Sequence, residues 1–533
     1  MSEMQASCPA CGVDVATPVV TRFTDTPSPF VILISNNGLV STSDEELLSY
    51  YLQGVQADIS AQNDVIQRIK SALTRAENEK NRLQGVFDSH AALRSSFRRC
   101  PPGILTEIFH CAIATPLDDI PLSLRGLSAR LSRVSAVCRL WRTTVLSSPS
   151  LWARFRLLGA ENQGSMPLLW QTVLDRSREA SLSIYCHSMY GVNKEEHAFL
   201  RRVLDTSQRW KQAWIELGKS NIDTYAQIRG SLPKLEWLEL SGHSNDFGWN
   251  GSHFDVFEDA PRLRALVLDG SIPVQTLALP WTQIISLHIK YTINRDNLCA
   301  VLSMIPDLQV LTLDNQEGRI RGWMPKKSAD IVTCPSLRRV HVYDLVLFRS
   351  FNLPSLDQLV IEDLASDFGV GNDSEEDIFY DFFERSGSPI TKLKTVVRTY
   401  IIDFARMFDM AFRLVDLDIT LPTPAIAALF FQALLSTGSK TDVLPELRSL
   451  KAKCRTISYL RELEINDIAD MIASRYYPPN AAVAEIQSVH ITLPCLSLLH
   501  RQTFQARLTN VPDLLNLIST RDGKYRSFIE MVR

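Results

Sequence analysis

From Leu232 onward the chain repeats one pattern. Each unit is a proline, a Leu-(two)-Leu-(one)-Leu segment and a return of variable length. Pro233 leads Leu235, Leu238 and Leu240; Pro261 leads Leu263, Leu266 and Leu268; Ile284, Leu287 and Ile289 follow without the proline. Pro306 leads Leu308, Leu311 and Leu313; Pro335 leads Leu337, Val340 and Val342; Pro354 leads Leu356, Leu359 and Ile361. Degenerate copies lie around Leu393–Val396, Leu414–Ile419, Leu447–Leu450 and Ile486–Ile491. The last two apolar positions of a unit stand two apart, so in a strand they share a face. One strand and its return cannot bury that face alone, so neighbouring units must stack. The pattern therefore predicts parallel strands adjacent in chain order. Leu238, Leu240, Leu266, Leu268, Leu311, Leu313, Leu359 and Ile361 would point into one core. A doubly wound α/β sheet also alternates strands with helices, but the tandem recurrence argues against it.

Early units follow one another at about 19 to 29 residues, the spacing of leucine-rich repeats. The asparagine that usually closes such a repeat is missing. The expectation is an irregular leucine-rich-repeat-like solenoid with uneven returns over 165–533, entered through the helix-like Leu168–Arg178 and a first strand at Leu182–Ile184. Ser366–Asp377 reads as an acidic loop between units, and its spacing does not fit a calcium loop. Phe247, Trp249 and His253, beside Gly248 and Gly251, form an aromatic loop suited either to a partner or to local packing.

The first 43 residues, rich in Pro, Ser, Thr and Asn, read as a loosely ordered leader. The apolar run Phe30–Ile34 within it suits a strand or a surface cover. Cys8-Pro9-Ala10-Cys11 looks like half of a zinc knuckle, but no second pair supplies the two further ligands within the chain, so no metal is expected unless a second copy supplies them; the other reading is two free thiols. From Ser43 or Asp44, which can cap a helix, no proline occurs until Pro101. Leu52, Ile59, Ile66, Leu73, Lys80 and Phe87 alternate with Val55, Gln62, Ile69, Ala76, Leu83 and His90 at three–four spacing. That is a coiled-coil seam over 44–94, interrupted at Gln62, Lys80 and His90. It predicts a long helix that either packs on its own chain or forms a modest homodimer.

The block between leader helix and repeats opens Cys100-Pro101-Pro102-Gly103-Ile104-Leu105-Thr106-Glu107-Ile108-Phe109. It continues Val134-Ser135-Ala136-Val137-Cys138-Arg139-Leu140-Trp141-Arg142 and closes Ser147-Ser148-Pro149-Ser150-Leu151-Trp152. Prolines in a first helical turn lose no hydrogen bond, and Ile104, Leu105, Ile108 and Phe109 then recur at helical spacing. Short helices this apolar want a partner. The block resembles the F-box, in the F-box-like form abundant in mushroom-forming fungi. Two positions depart: Cys100 replaces the usual leucine, and Gly103 the usual glutamate.

The resemblance implies a small all-α bundle over 97–155. It also implies an SCF-type substrate receptor of a cullin–RING ubiquitin ligase, docked on a Skp-type adaptor and holding an unknown target protein on its repeats. Its adaptor contacts would be Pro101, Pro102, Ile104, Leu105, Ile108, Phe109, Val134, Val137, Cys138, Trp141, Leu151 and Trp152. The rival is an interaction scaffold whose box-like helices only cap the repeats. An enzyme is not expected, because no phosphate loop, nucleophile elbow or paired-histidine motif occurs. No cofactor is expected. A formal charge of -3 with dispersed basic residues gives nucleic acid no footing. No apolar run reaches membrane-span length, and ten scattered cysteines suit a reducing cytoplasm or nucleus.

Overall fold

The computed structural model describes residues 28–94, 96–113, 121–158, 166–187, 194–218, 222–242, 253–270, 272, 274–291, 293, 295–314, 331–343, 345–362, 375–397, 404–438, 442–454, 462–494, 508, 515–518 and 526–532. Cys8, Cys11, Phe247, Trp249 and most of Ser366–Asp377 lie outside them. Two units divide the chain, Met1–Ile104 and Leu105–Arg533.

In the first unit, Phe30–Ile34 forms no strand, one of the two roles its sequence suits. A six-residue helix, α1 (Val31–Asn36), takes its place, closed by Asn37 in the left-handed region at φ 52°. Buried Phe30 packs edge-on against Tyr51, with ring centroids 6.2 Å apart. Tyr51 belongs to α2 (Glu45–Ala91), a helix of 47 residues. Asp44 is its cap position, accepting from the Leu48 N–H at 2.9 Å, and Glu45 and Glu46 suit the positive end of the helix dipole. No residue of α2 is buried.

The boundary falls inside the first of three short helices, α3 (Pro102–Ile113), and the second unit continues with α4 (Leu124–Ser135), α5 (Arg139–Ser147) and a 3-10 turn at Pro149–Trp152. Strands follow: β1 (Arg154–Leu158), β2 (Leu182–His187), β3 (Trp210–Glu216), β4 (Trp237–Gly242), β5 (Ala265–Gly270), β6 (Ser286–Ile289), β7 (Val310–Leu313), β8 (Val332–Thr333) and β9 (Arg339–Val342). Then come β10 (Phe351–Asn352), β11 (Gln358–Ile361), β12 (Lys392–Val396), β13 (Asp416–Leu421), β14 (Ser449–Cys454), β15 (Ser488–Pro494), β16 (Leu515–Ile518) and β17 (Arg526–Val532). Helices on the return paths include α6 (Met166–Ser177), α7 (Lys194–Leu204), α8 (Arg295–Ser303), α9 (Glu375–Ser386), α10 (Phe404–Met410), α11 (Pro424–Ala433) and α12 (Glu462–Tyr476).

The architecture is α/β. Thirteen strands, β1 to β15 without the small β8–β10 pair, lie parallel in one sheet in chain order. A doubly wound sheet would reverse that order. Register aligns the repeat leucines into a row: Leu238, Leu266, Leu287, Leu311, Val340, Leu359, Leu393, Leu417, Leu450 and Val489 are successive partners. All are buried, as are Leu240, Leu268, Ile289, Leu313 and Ile361 two residues on. Each such leucine contributes roughly 1.5–3 kcal/mol by leaving water. The first apolar position of a unit (Leu235, Leu263, Ile284, Leu308, Leu337, Leu356) precedes its strand and is buried too, which explains why the pattern carries three leucines rather than two.

Two features differ from expectation. The sheet starts at Arg154, inside the segment assigned to the helical block, so that block ends with the Pro149–Trp152 turn. Its end is also not parallel: β17 pairs antiparallel with β15, and β16 antiparallel with β17. An antiparallel return needs no crossover connection. One backbone position is tightly constrained. Gly270 closes β5 at φ +73°, where a Cβ would lie 1.9 Å from the Gly242 carbonyl oxygen of the neighbouring strand.

Candidate interaction surfaces

The helical block is built from three amphipathic helices with specific caps. On α3, Leu105, Phe109 and Ile113 recur every fourth residue and are buried. Ser123 caps α4 by accepting from the Gly126 N–H at 3.2 Å, and α4 buries Leu124, Leu127 and Leu131. Cys138 caps α5, its Sγ accepting from the Trp141 N–H at 3.5 Å. Trp152 is buried, and its indole Nε1–H donates to the Val145 carbonyl at 2.9 Å. That carbonyl lies in the last turn of α5, where the helix supplies no partner. Polar ties hold the closing turn to α3: Thr106 to Ser148 at 2.9 Å and His110 to Ser150 at 3.1 Å.

The twelve residues expected to meet an adaptor separate into three groups. Leu105, Phe109, Leu151 and Trp152 are buried, with no more than 2% of their surface exposed. They hold the helices together and present no face to a partner, which corrects the expectation that they contact one. Ile108, Val134 and Trp141 are half-buried, Trp141 against Phe109 with centroids 4.9 Å apart. Pro101, Pro102, Ile104, Val137 and Cys138 are exposed, Ile104 by 55% and Val137 by 60%. Ile104 and Ile108 share a face of α3, four residues apart. Leu140, at 37% exposed and absent from the sequence-based set, sits beside Cys138 at the start of α5. Its signal was there, as an apolar residue between Arg139 and Trp141 in the motif.

The block also joins the sheet. The Arg156 N–H of β1 donates to the Leu122 carbonyl at 2.6 Å, and Ser123 bridges Arg156 in parallel. The chain just before α4 thus covers the free edge of β1, an edge that would otherwise expose unpaired backbone groups.

The face of the sheet opposite the leucine rows is a second surface. Register places Arg156, Tyr185, Trp214, Glu239, Val267, His288, Thr312, His341, Val360, Lys394, Asp418, Lys451 and His490 in one cross-strand row. The β2–β4 end is aromatic: Trp214 packs on Trp237 at 4.4 Å and on Tyr185 at 6.2 Å. The middle is charged and laterally paired. Lys290 meets Glu239 at 2.7 Å, His288 meets Asp314 at 2.7 Å, and Lys394 meets Glu362 at 2.7 Å. His341 lies 3.3 Å from the same Glu362 carboxylate, without the alignment of a hydrogen bond. Burial, with Glu239 and Glu216 nearby, pushes the Tyr185 hydroxyl above its usual range. Burial also raises the Asp418 carboxyl, against the pull of Lys394 and Lys451 on either side. No sequence signal marks this row, because its members are brought together only by register.

Among the described residues, no group of three or more His, Cys, Asp or Glu side chains is placed to share a metal, and no helix is long and apolar enough to cross a membrane. Compared with known proteins, the chain matches no family model and no curated sequence.

Proposed function

We propose that the chain is a non-catalytic substrate receptor of an SCF-type cullin–RING ubiquitin ligase. In this reading the helices α3–α5 form an F-box-like bundle that docks on a Skp-type adaptor. The chain-order sheet with its helical returns acts as an irregular leucine-rich-repeat-like solenoid. Its open face, aromatic at one end and laterally ion-paired beyond, holds a target protein. The chain's contribution is proximity: it raises the target's effective concentration near the charged enzyme. The observation carrying this reading is the exposure of Ile104 and Val137 inside the box-like motif, where apolar side chains stand in water at a cost unless covered.

One observation favours the rival. The segment before α4 covers the edge of β1, as expected of helices that serve only to cap a scaffold. Capture of a purified Skp-type adaptor by the full chain separates the two. Ile104→Glu and Val137→Glu, both on exposed positions, should each cut capture at least tenfold while the unfolding midpoint stays unchanged. Equal capture by wild type and both variants, or none by wild type, overturns the ligase reading and leaves the scaffold.

A further inference from the structure

Helix α2 carries its apolar stripe uncovered. Leu52, Ile59, Ile66, Ile69, Leu73, Leu83 and Phe87 are 41–68% exposed, although every one occupies a seam position. Helices draw most of their stability from packing such a face, so the stripe calls for an occupant. We infer that the occupant is a second copy of α2 running antiparallel, in the one register that pairs Lys80 with Gln62. This inference does not depend on the ligase reading.

The argument comes from where the seam is polar. In a parallel, in-register pair, each seam residue faces itself. Lys80 would then set two ammonium groups against each other in the seam, Phe87 would meet Phe87, and Ala76 would meet Ala76 across a gap. In an antiparallel pair, the two series of seam positions face one another. Aligning Lys80 with Gln62 of the second copy fixes every other layer. Leu52 then faces His90, Ile59 faces Leu83, Ile66 faces Ala76, Leu73 faces Ile69 and Phe87 faces Val55, the second residue of each pair belonging to the other copy. The two interior polar residues satisfy each other, since the amide oxygen of Gln62 accepts from the Lys80 ammonium. Large side chains meet small ones at Ile66–Ala76 and Phe87–Val55. Sliding by one heptad either way sets Lys80 against Val55 or Ile69, leaving its charge without an acceptor in an apolar layer. Lys70 faces its own copy beside the dyad, but at an exposed flank where salt screens the repulsion.

The geometry has a consequence for the assembly. The C-terminal ends of the two helices lie at opposite ends of the seam, about 60 Å apart at 1.5 Å per residue. The chain that continues from each helix therefore leaves in the opposite direction.

The test uses the full chain. Sedimentation at micromolar concentration should show a dimer, and Leu73→Asp should make it monomeric with some loss of helix content, while tryptophan fluorescence, which comes only from residues beyond Ile104, shows the sheet still folded. Gln62→Glu creates two Lys–Glu contacts in the antiparallel pair and should tighten it several-fold, a gain lost in high salt. In a parallel pair the same change opposes two carboxylates and weakens it. Oxidation of a chain carrying Ile66→Cys and Ala76→Cys should yield a 66–76 cross-link between copies, identified by peptide mass because native cysteines are present. The two sites lie about 15 Å apart on one helix and cannot join within it. A 66–66 link, weaker association of Gln62→Glu, or a wild-type monomer overturns the inference.

Discussion

Replacing Trp152 tests whether the strongest-looking contact residue of the box-like motif works inside the protein or at its surface. Its indole is 2% exposed, fills the junction of α5 and β1, donates to the Val145 carbonyl at 2.9 Å and carries the Arg176 guanidinium 4.4 Å above its ring. Trp152→Ala removes a large core side chain, a loss of about 3–5 kcal/mol. It also orphans the Val145 carbonyl, whose hydrogen bond adds about 0.5–1.5 kcal/mol. A destabilisation of about 4–6 kcal/mol follows. Trp152→Phe keeps one ring and part of the cation–π contact, so it should cost about 2–3 kcal/mol. Denaturant unfolding gives both values. Adaptor capture is then measured on Trp152→Phe far below its midpoint, where it should match wild type. A Trp152→Phe protein with an unchanged midpoint and lost capture would refute the burial argument and return Trp152 to the interface.

Two further outcomes follow from the fold. Gly270→Ala forces a Cβ into the Gly242 carbonyl at a positive φ, and should lower stability by about 2–4 kcal/mol in the same unfolding assay; an unaltered midpoint would show that β4 and β5 part there without cost. Burial holds the Cys186 thiol up at about 12 and the buried Tyr225 hydroxyl well above its usual value. Both folded-state values exceed the unfolded ones, so this stability is intact below about pH 9 and falls away as pH rises toward 12. The difference in tyrosinate absorbance between wild type and Tyr225→Phe isolates this hydroxyl: it should appear only with the cooperative loss of fold, and a difference that develops near pH 10 with the fold intact would contradict the burial of Tyr225.

Much of the fold was legible because one residue type marks it. The leucine pattern and its degenerate copies announce β4 to β7, β9 and β11 to β15, and a proline-free seam announces α2 within three residues at either end. β1 and β3 went unseen. Arg154–Leu158 alternates but lies inside a motif that reads as helical, and Trp210–Glu216 carries Trp210, Ala213 and Ile215 where the pattern expects leucines. The faces of the helical block were misjudged for a different reason. Helical spacing puts Ile104 and Leu105 in one apolar set, but adjacent residues point about 100° apart, and only the position of the neighbouring helices decides which is covered. The open-face row was not legible at all. Glu239 and Lys290, an ion pair, are separated by 51 residues and become neighbours only through three strands of register.

Register in the main sheet is indifferent to the length of what lies between strands. Successive partners are as close in sequence as Arg339 and Gln358 and as distant as Ser449 and Ser488, yet the ladder between them is unbroken. Because each parallel strand bonds only to the ones before and after it, a return can lengthen without disturbing any pairing but its own. A gene encoding such a chain can gain or lose sequence between strands, or duplicate a whole unit, and still specify the same ladder. Rapid change in those intervals is therefore compatible with an unchanged core, and the open face can be reshaped one strand at a time.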